Sequence, residues 1–185
     1  MIFADGAALV VLKRLSKAQE DGDEVFGVLR AFGSSSDGKG KAIYAPNSAG
    51  QSLAVRRALE NGDVDGDEVD WINAHATGTP AGDLAEFSTL REHFGTARPT
   101  AVTSNKSLIG HTGWAAGVVS LIENLKGLEK ETIPGQFRFT SPARTSAWPR
   151  PSWTSRSGRQ SGPDAVTGPG SPPSPGSASA VPTRT

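Results

Sequence analysis

The chain of 185 residues contains no cysteine. Disulfide frameworks and thiolate metal sites are therefore excluded. It has one methionine, one tyrosine and only 6% aromatic residues, so neither a Met-rich contact surface nor an aromatic base-stacking platform is indicated. No charge of one sign dominates: 19 Lys and Arg balance 19 Asp and Glu. A basic field for nucleic acid or for an anionic membrane is absent. No apolar run is long enough to span a bilayer, and the N-terminus lacks a basic-then-apolar signal pattern. The expectation is a soluble cytoplasmic protein with no nucleic acid or membrane as partner.

The neutral total hides two unlike parts. Residues 1–139 hold 14 Lys and Arg against 18 Asp and Glu, and nearly all the large aliphatic side chains. Residues 140–185 hold five Arg, a single acidic residue (Asp164) and nine of the 13 prolines, set among Ser, Gly and Thr. Such a stretch cannot bury enough apolar surface to offset the entropy of ordering it. We expect a folded unit over 1–139 and a disordered Pro/Ser/Gly/Arg-rich tail over 140–185.

Within 1–139 the apolar pattern alternates between short runs and helical spacing. Gly6–Leu15 and Glu24–Phe32 read as strands. A short helix over Lys17–Asp21 is capped by Ser16, and Gly33–Gly40 forms a loop. Ser48–Leu59 reads as a helix stopped by Asn61-Gly62. Val69–Ala74 is a strand that delivers His75 at its C-terminal end. Ala81–Phe94 is a helix with Leu84, Phe87, Leu90 and Phe94 on one stripe. Pro99–Ser104 is a strand. Thr112–Leu128 is a helix whose first turn is small (Ala115, Ala116, Gly117) and therefore packs deeply. Strands alternating with helices indicate an α/β layered fold.

Two segments carry the chemistry. Asn73-Ala74-His75-Ala76-Thr77-Gly78-Thr79-Pro80 and Lys106-Ser107-Leu108-Ile109-Gly110-His111 each put an imidazole after an apolar run, beside glycines and hydroxyls. Two imidazoles from separate turns can converge on one oxygen, the arrangement needed to hold an enolate formed by decarboxylating a thioester. Other readings of the same residues are weaker. His75, His111 and Glu86 make a two-His, one-carboxylate set, but the adjacent Lys106 disfavours a second cation. Gly38-Lys39-Gly40-Lys41 lacks the Gly-Lys-Ser/Thr ending of a phosphate loop. Asp63–Glu68 lacks the twelfth-position glutamate of a calcium loop, since Ala74 stands there, and reads as a solvated acidic turn. His93 is expected on the exposed side of its helix, in contact with solvent alone.

Taken together, the two histidine segments resemble the β-ketoacyl-acyl-carrier-protein synthases. Gly6-Ala7-Ala8 followed by Val10-Val11-Leu12, and the turn Ala45-Pro46-Asn47, are similar to the same family. The likeness covers about residues 3–139, the latter part of a synthase domain. It implies a thiolase-like α/β fold, here its C-terminal half. It also implies decarboxylative Claisen condensation of a malonyl thioester with an acyl chain, in fatty-acid or polyketide assembly. By the resemblance His75 and His111 are the catalytic histidine pair, and Lys106 and Glu86 a buried cation and carboxylate of the same catalytic site. Thr77 and Thr79 bind the phosphopantetheine arm of an acyl carrier protein. The implied partners are that carrier and a Cys-bearing N-terminal half or subunit, within a dimeric parent enzyme. No metal, nucleotide or flavin cofactor is implied.

The sequence departs from the family pattern in four ways. The nucleophilic cysteine has no counterpart, so the chain is expected not to complete turnover alone, as a fragment, a non-catalytic partner or a truncated product. Ala76 replaces a commoner glycine, and Leu108 stands where a polar residue is frequent. The family's later Gly-Phe-Gly-Gly turn is missing. Ser177–Thr183 is what Phe-Gly-Phe-Gly-Gly-Thr-Asp becomes when G/C-rich codons are read one base out of phase, so the tail is expected to be a frameshifted replacement of that C-terminus.

Overall fold

A computed structural model describes residues 2–39, 42, 45–139, 153–154 and 160–161, the last two pairs by their backbone. At its centre lies a parallel sheet built from a strand–helix–strand unit. Strand β1 (Trp71–Asn73) and strand β2 (Thr100–Thr103) pair with Trp71 opposite Ala101 and Asn73 opposite Thr103. The connection between them contains helix α3 (Pro80–His93). β2 is the best-covered element, with Thr100, Ala101 and Thr103 buried. Its threonines are satisfied as burial requires: Thr100 Oγ1 donates to Val69 O at 3.0 Å, and Thr103 Oγ1 accepts from Trp71 Nε1 at 2.7 Å.

Helix α1 (Leu15–Asp21) precedes this unit, followed by helix α2 (Ser48–Gly62). Asn47 caps α2, its side-chain oxygen accepting from the N–H groups of Ala49 and Gly50. α2 packs on α3. Between them Thr89, 2% exposed, donates toward Ser48 O, Gln51 Oε1 and Ala85 O, each at 3.2 Å. After β2 come a single-turn helix α4 (Lys106–Ile109), a 3₁₀ turn (Gly113–Ala115) and helix α5 (Ala116–Glu129). α5 packs against β1 at Gly127, where an added Cβ would lie 2.5 Å from the Trp71 ring. Strand β3 (Thr132–Ile133) is the last element before residue 139, where the continuously described region ends.

Several expectations need correction. Gly6–Leu15 and Glu24–Phe32 form no strand: among the described residues neither run joins a ladder, and the one isolated bridge, Phe3 with His111, lies before the first of them. An apolar run becomes a strand only where a neighbouring backbone completes its hydrogen bonds. Lacking one, Leu9 and Val11 are 95% and 98% exposed. Ser16 is no cap, because α1 begins one residue before it with Arg14 at the N-cap position. Helix α2 runs through Gly62, and Asp63 ends it in a left-handed conformation. Leu84 faces outward (51% exposed), while Thr89 takes the innermost position of α3. The helix expected from Thr112 starts at Ala116, where the buried small side chain is found.

The acidic stretch Asp63–Glu68 is more than solvated. Asp65 and Glu68 form a capping box around a 3₁₀ turn (Gly66–Glu68). Asp67 accepts from Thr96 N and Oγ1 at 2.8 and 2.6 Å, which with Ala97 N–H holds its carboxyl below the usual range. In the tail, strand β4 (Trp153–Thr154) adds to β2 in parallel and strand β5 (Gln160–Ser161) pairs antiparallel with β3. The rest of 140–185, including the expected frameshifted segment Ser177–Thr183, lies outside the described residues, as do Gly40 and Lys41.

Candidate active site

β1 and β2 end side by side, and the residues following each carry the candidate site. Ala74 N–H donates to Thr103 O at 2.7 Å, prolonging the pairing by one residue. The next residue, His75, leaves the sheet on a turn that the sequence makes tight. Ala76 has φ +32° and Gly78 φ +78°, a left-handed region where a Cβ is disfavoured by about 1–2 kcal/mol. The absence of the commoner glycine at position 76 therefore places strain in this turn.

Glu86, on the second turn of α3, closes it. Its Oε1 accepts from His75 N–H at 2.7 Å and its Oε2 from Ala76 N–H at 2.8 Å. Thr77 and Thr79 hydroxyls lie 3.1 Å apart, Gly78 N–H donates to Asp83 Oδ1 at 3.1 Å, and Pro80 starts α3. Gly82 leaves room for Thr79, whose Oγ1 would be 2.5 Å from an added Cβ.

The second histidine arrives by a different route. α4 ends at Gly110, whose φ is +81° and ψ −177°. An added Cβ there would meet Ala4 Cβ at 3.0 Å and Ile2 O at 3.2 Å, so the glycine lets the N-terminal segment lie against the turn. His111 N–H donates to Ile2 O at 2.8 Å and Ala4 N–H to His111 O at 3.1 Å. Phe3 stacks on the His111 ring with centroids 5.8 Å apart. Gly113 N–H donates to His111 Nδ1 at 3.1 Å. With Nδ1 an acceptor, the proton of the neutral ring is assigned by this bond to Nε2.

The two imidazoles meet edge to face, with centroids 5.1 Å apart and planes at 85°. Residues 36 apart in the chain are thus brought into ring contact by adjacent strand ends. His75 titrates below the usual histidine value, first through desolvation, then through the Lys106 ammonium, with His111 adding to the effect and Glu86 and Asp83 opposing it. Lys106 titrates below the ordinary lysine value, because desolvation outweighs the attraction of Glu86 and Glu123. The outcome at His75 is a neutral imidazole, able to donate one hydrogen bond.

The Lys106–Glu86 contact pair is not formed. Both Glu86 oxygens are committed to backbone N–H groups, and the two side chains interact only through their fields. Beside His111 an open cavity of about 420 Å³ is lined by Phe3, Asp5, Gly6, Thr112 and the fully exposed Trp114. His75 and Lys106 do not line it. His93 also departs from expectation: its ring is largely buried between α2 and α3, with Nε2 2.6 Å from Ser52 Oγ. Asn73, at the head of the first histidine segment, and Gln136, which no sequence pattern marks, support the site. Asn73 Nδ2 donates to Glu123 Oε2 at 2.5 Å, and the Gln136 amide holds Ser104.

Residues 26–140 match the family model described as "Beta-ketoacyl synthase, C-terminal domain". The chain belongs to this family. It is 40% identical over 148 residues to a polyunsaturated fatty acid synthase polypeptide of Thraustochytrium sp., covering 77% of this chain and 5% of that protein. It is 41% identical over 154 residues to a PKS-NRPS hybrid synthetase of Aspergillus candidus, covering 80% and 6%. Among solved structures, the ketosynthase from module 6 of the Bacillus subtilis bacillaene synthase superposes with a TM-score of 0.74 at 27% identity, over 80% of this chain and 28% of that one. The chain therefore spans about a quarter of this solved ketosynthase and a small fraction of these multidomain synthases. The thiolase-like fold and the ketosynthase C-terminal assignment follow.

Proposed function

We propose that this chain supplies the decarboxylating half of a β-ketoacyl synthase active site, acting on a malonyl thioester carried by the phosphopantetheine of an acyl carrier protein. The observation that carries the reading is the edge-to-face meeting of His75 and His111 beside Lys106. In the proposed reaction the bond from the malonyl α-carbon to its carboxylate breaks and carbon dioxide leaves. The electron pair stays as an enolate, whose negative charge falls on the thioester oxygen. Nε2–H of His111 and an N–H of His75 donate to that oxygen, each neutral donor worth about 3–4 kcal/mol to the transition state. The Lys106 ammonium offsets charge nearby. Thr77 and Thr79 hold the arm, and Glu86 fixes His75 from behind.

The enolate would then attack an acyl thioester on a cysteine, forming a carbon–carbon bond and releasing thiolate. None of the 185 residues is a cysteine, so that group comes from another polypeptide segment in this reading, and the chain alone does not complete the condensation. No metal or organic cofactor takes part in it.

Incubating the chain with malonyl-pantetheine thioester tests the first step. Carbon dioxide release above the buffer rate, lost in His111→Ala, supports the reading. No release, together with unmoved His75 and His111 resonances on adding the thioester, rejects it. A second reading, a non-catalytic polypeptide that pairs with a Cys-bearing synthase half, is favoured by the exposed apolar side chains of Leu9, Val11, Phe26 and Leu29. Co-purification with such a half, without decarboxylation by the pair, distinguishes it.

A further inference from the structure

We propose that Gln136 is a positioning residue for Lys106: its side-chain amide takes the place of a strand partner at Ser104 and so fixes the turn from which the ammonium projects. β2 ends at Thr103, and the backbone of Ser104 has no place in the ladder. Gln136 Oε1 accepts from Ser104 N–H at 2.7 Å, and its Nε2 donates back to Ser104 O at 3.1 Å. The same Nε2 reaches Ser107 Oγ at 2.8 Å and Phe137 O at 3.3 Å. One amide therefore grips Ser104 and Ser107, the residues on either side of Asn105-Lys106, and holds both ends of the turn.

α4 needs such outside support. It has four residues and no side-chain cap at Asn105, and a single helical turn is not stable by itself. Its other tethers are few. Buried Asn105 donates from Nδ2 to Ser120 Oγ at 3.3 Å, and Lys106 N–H donates to Ser104 Oγ at 3.4 Å. Tether loss would let the Lys106 stem swing toward water. The charges it faces now are Glu86 on α3 and Glu123 on α5, with His75 on the opposing turn. Its partial desolvation is consistent with a held side chain.

This rests on the reading that Lys106 serves the reacting centre, yet its test needs no turnover. In the full 185-residue chain with ¹³C-methylated lysines, the Lys106 signal, identified by its loss in Lys106→Arg, is titrated by NMR together with the His75 ring. Gln136→Ala, and the near-isosteric Gln136→Met should the first not fold, are expected to shift the Lys106 titration upward, toward ordinary lysine. His75 should follow upward as the ammonium withdraws. A folded variant with both titrations unmoved overturns the proposal. So does loss of folding in both variants, which would make Gln136 a folding residue. A shifted Lys106 alongside a failed decarboxylation assay would leave the positioning role standing and reject the proposed reaction alone.

Discussion

Glu86 holds His75 by its backbone and leaves the ring free: the carboxylate accepts the N–H groups of His75 and Ala76 at 2.7 and 2.8 Å. A carboxylate is suited to this because both oxygens accept. Hydrogen bonds to a charged group contribute about 1.5–3 kcal/mol each. We expect Glu86→Ala to lower stability by about 2 kcal/mol in urea unfolding. Glu86→Gln should lose nearly as much, because its amide N–H₂ would face a backbone N–H. A glutamine variant as stable as the parent would contradict this clamp.

Ala76 stands at φ +32°. Ala76→Gly should relieve the left-handed strain, offset in part by the greater freedom of glycine in the unfolded chain, for a net gain of roughly 1 kcal/mol. The denaturation midpoint reports the sign. A lower midpoint would mean the turn is not strained by its Cβ.

Gly110 is confined by the N-terminal segment as well as by its φ of +81°. Gly110→Ala should destabilise the chain by about 2 kcal/mol through the backbone conformation and the clash together. It should also release Ile2–Ala4 from His111, read as faster amide exchange at Ala4 and His111. Protection equal to that of the parent would show that the segment accommodates the methyl.

His75 titrates below its unfolded value of 6.5, mainly through desolvation. Below that pH the unfolded chain binds a proton that the native chain resists, so stability falls as pH drops from about 6.5 toward the native titration point. Below that point the loss levels off. His75→Gln should flatten this part of the stability profile, below about pH 6.5. An unchanged slope would assign the pH dependence to other groups.

Local sequence carried a good part of this structure. The helical spacing over Ser48–Leu59 and Ala81–Phe94 located α2 and α3, and the runs ending at Ala74 and Ser104 located β1 and β2. The order of the histidine segments carried the family, and the family model covers 26–140. Lys106 and Glu86 could be named from the sequence as candidates but their contacts could not, because motif order does not say which oxygen meets which N–H. Gln136 was not legible at all: a lone glutamine after Ile133-Pro134-Gly135 has no periodicity or motif to mark it.

Local residue patterns placed α2, α3, β1 and β2, put an imidazole after each of two apolar runs, and left the chain without a thiol. Those are properties of neighbouring residues, set by apolar period, turn chemistry and composition. Tertiary structure alone decided that the apolar runs Gly6–Leu15 and Glu24–Phe32 find no strand partner among the described residues. It decided that His93 turns inward to Ser52, and that Gln136 reaches back 32 residues to Ser104. The physical reason is common to all three: a hydrogen bond between distant residues depends on which backbone or side chain the fold brings alongside, and no local pattern encodes that neighbour.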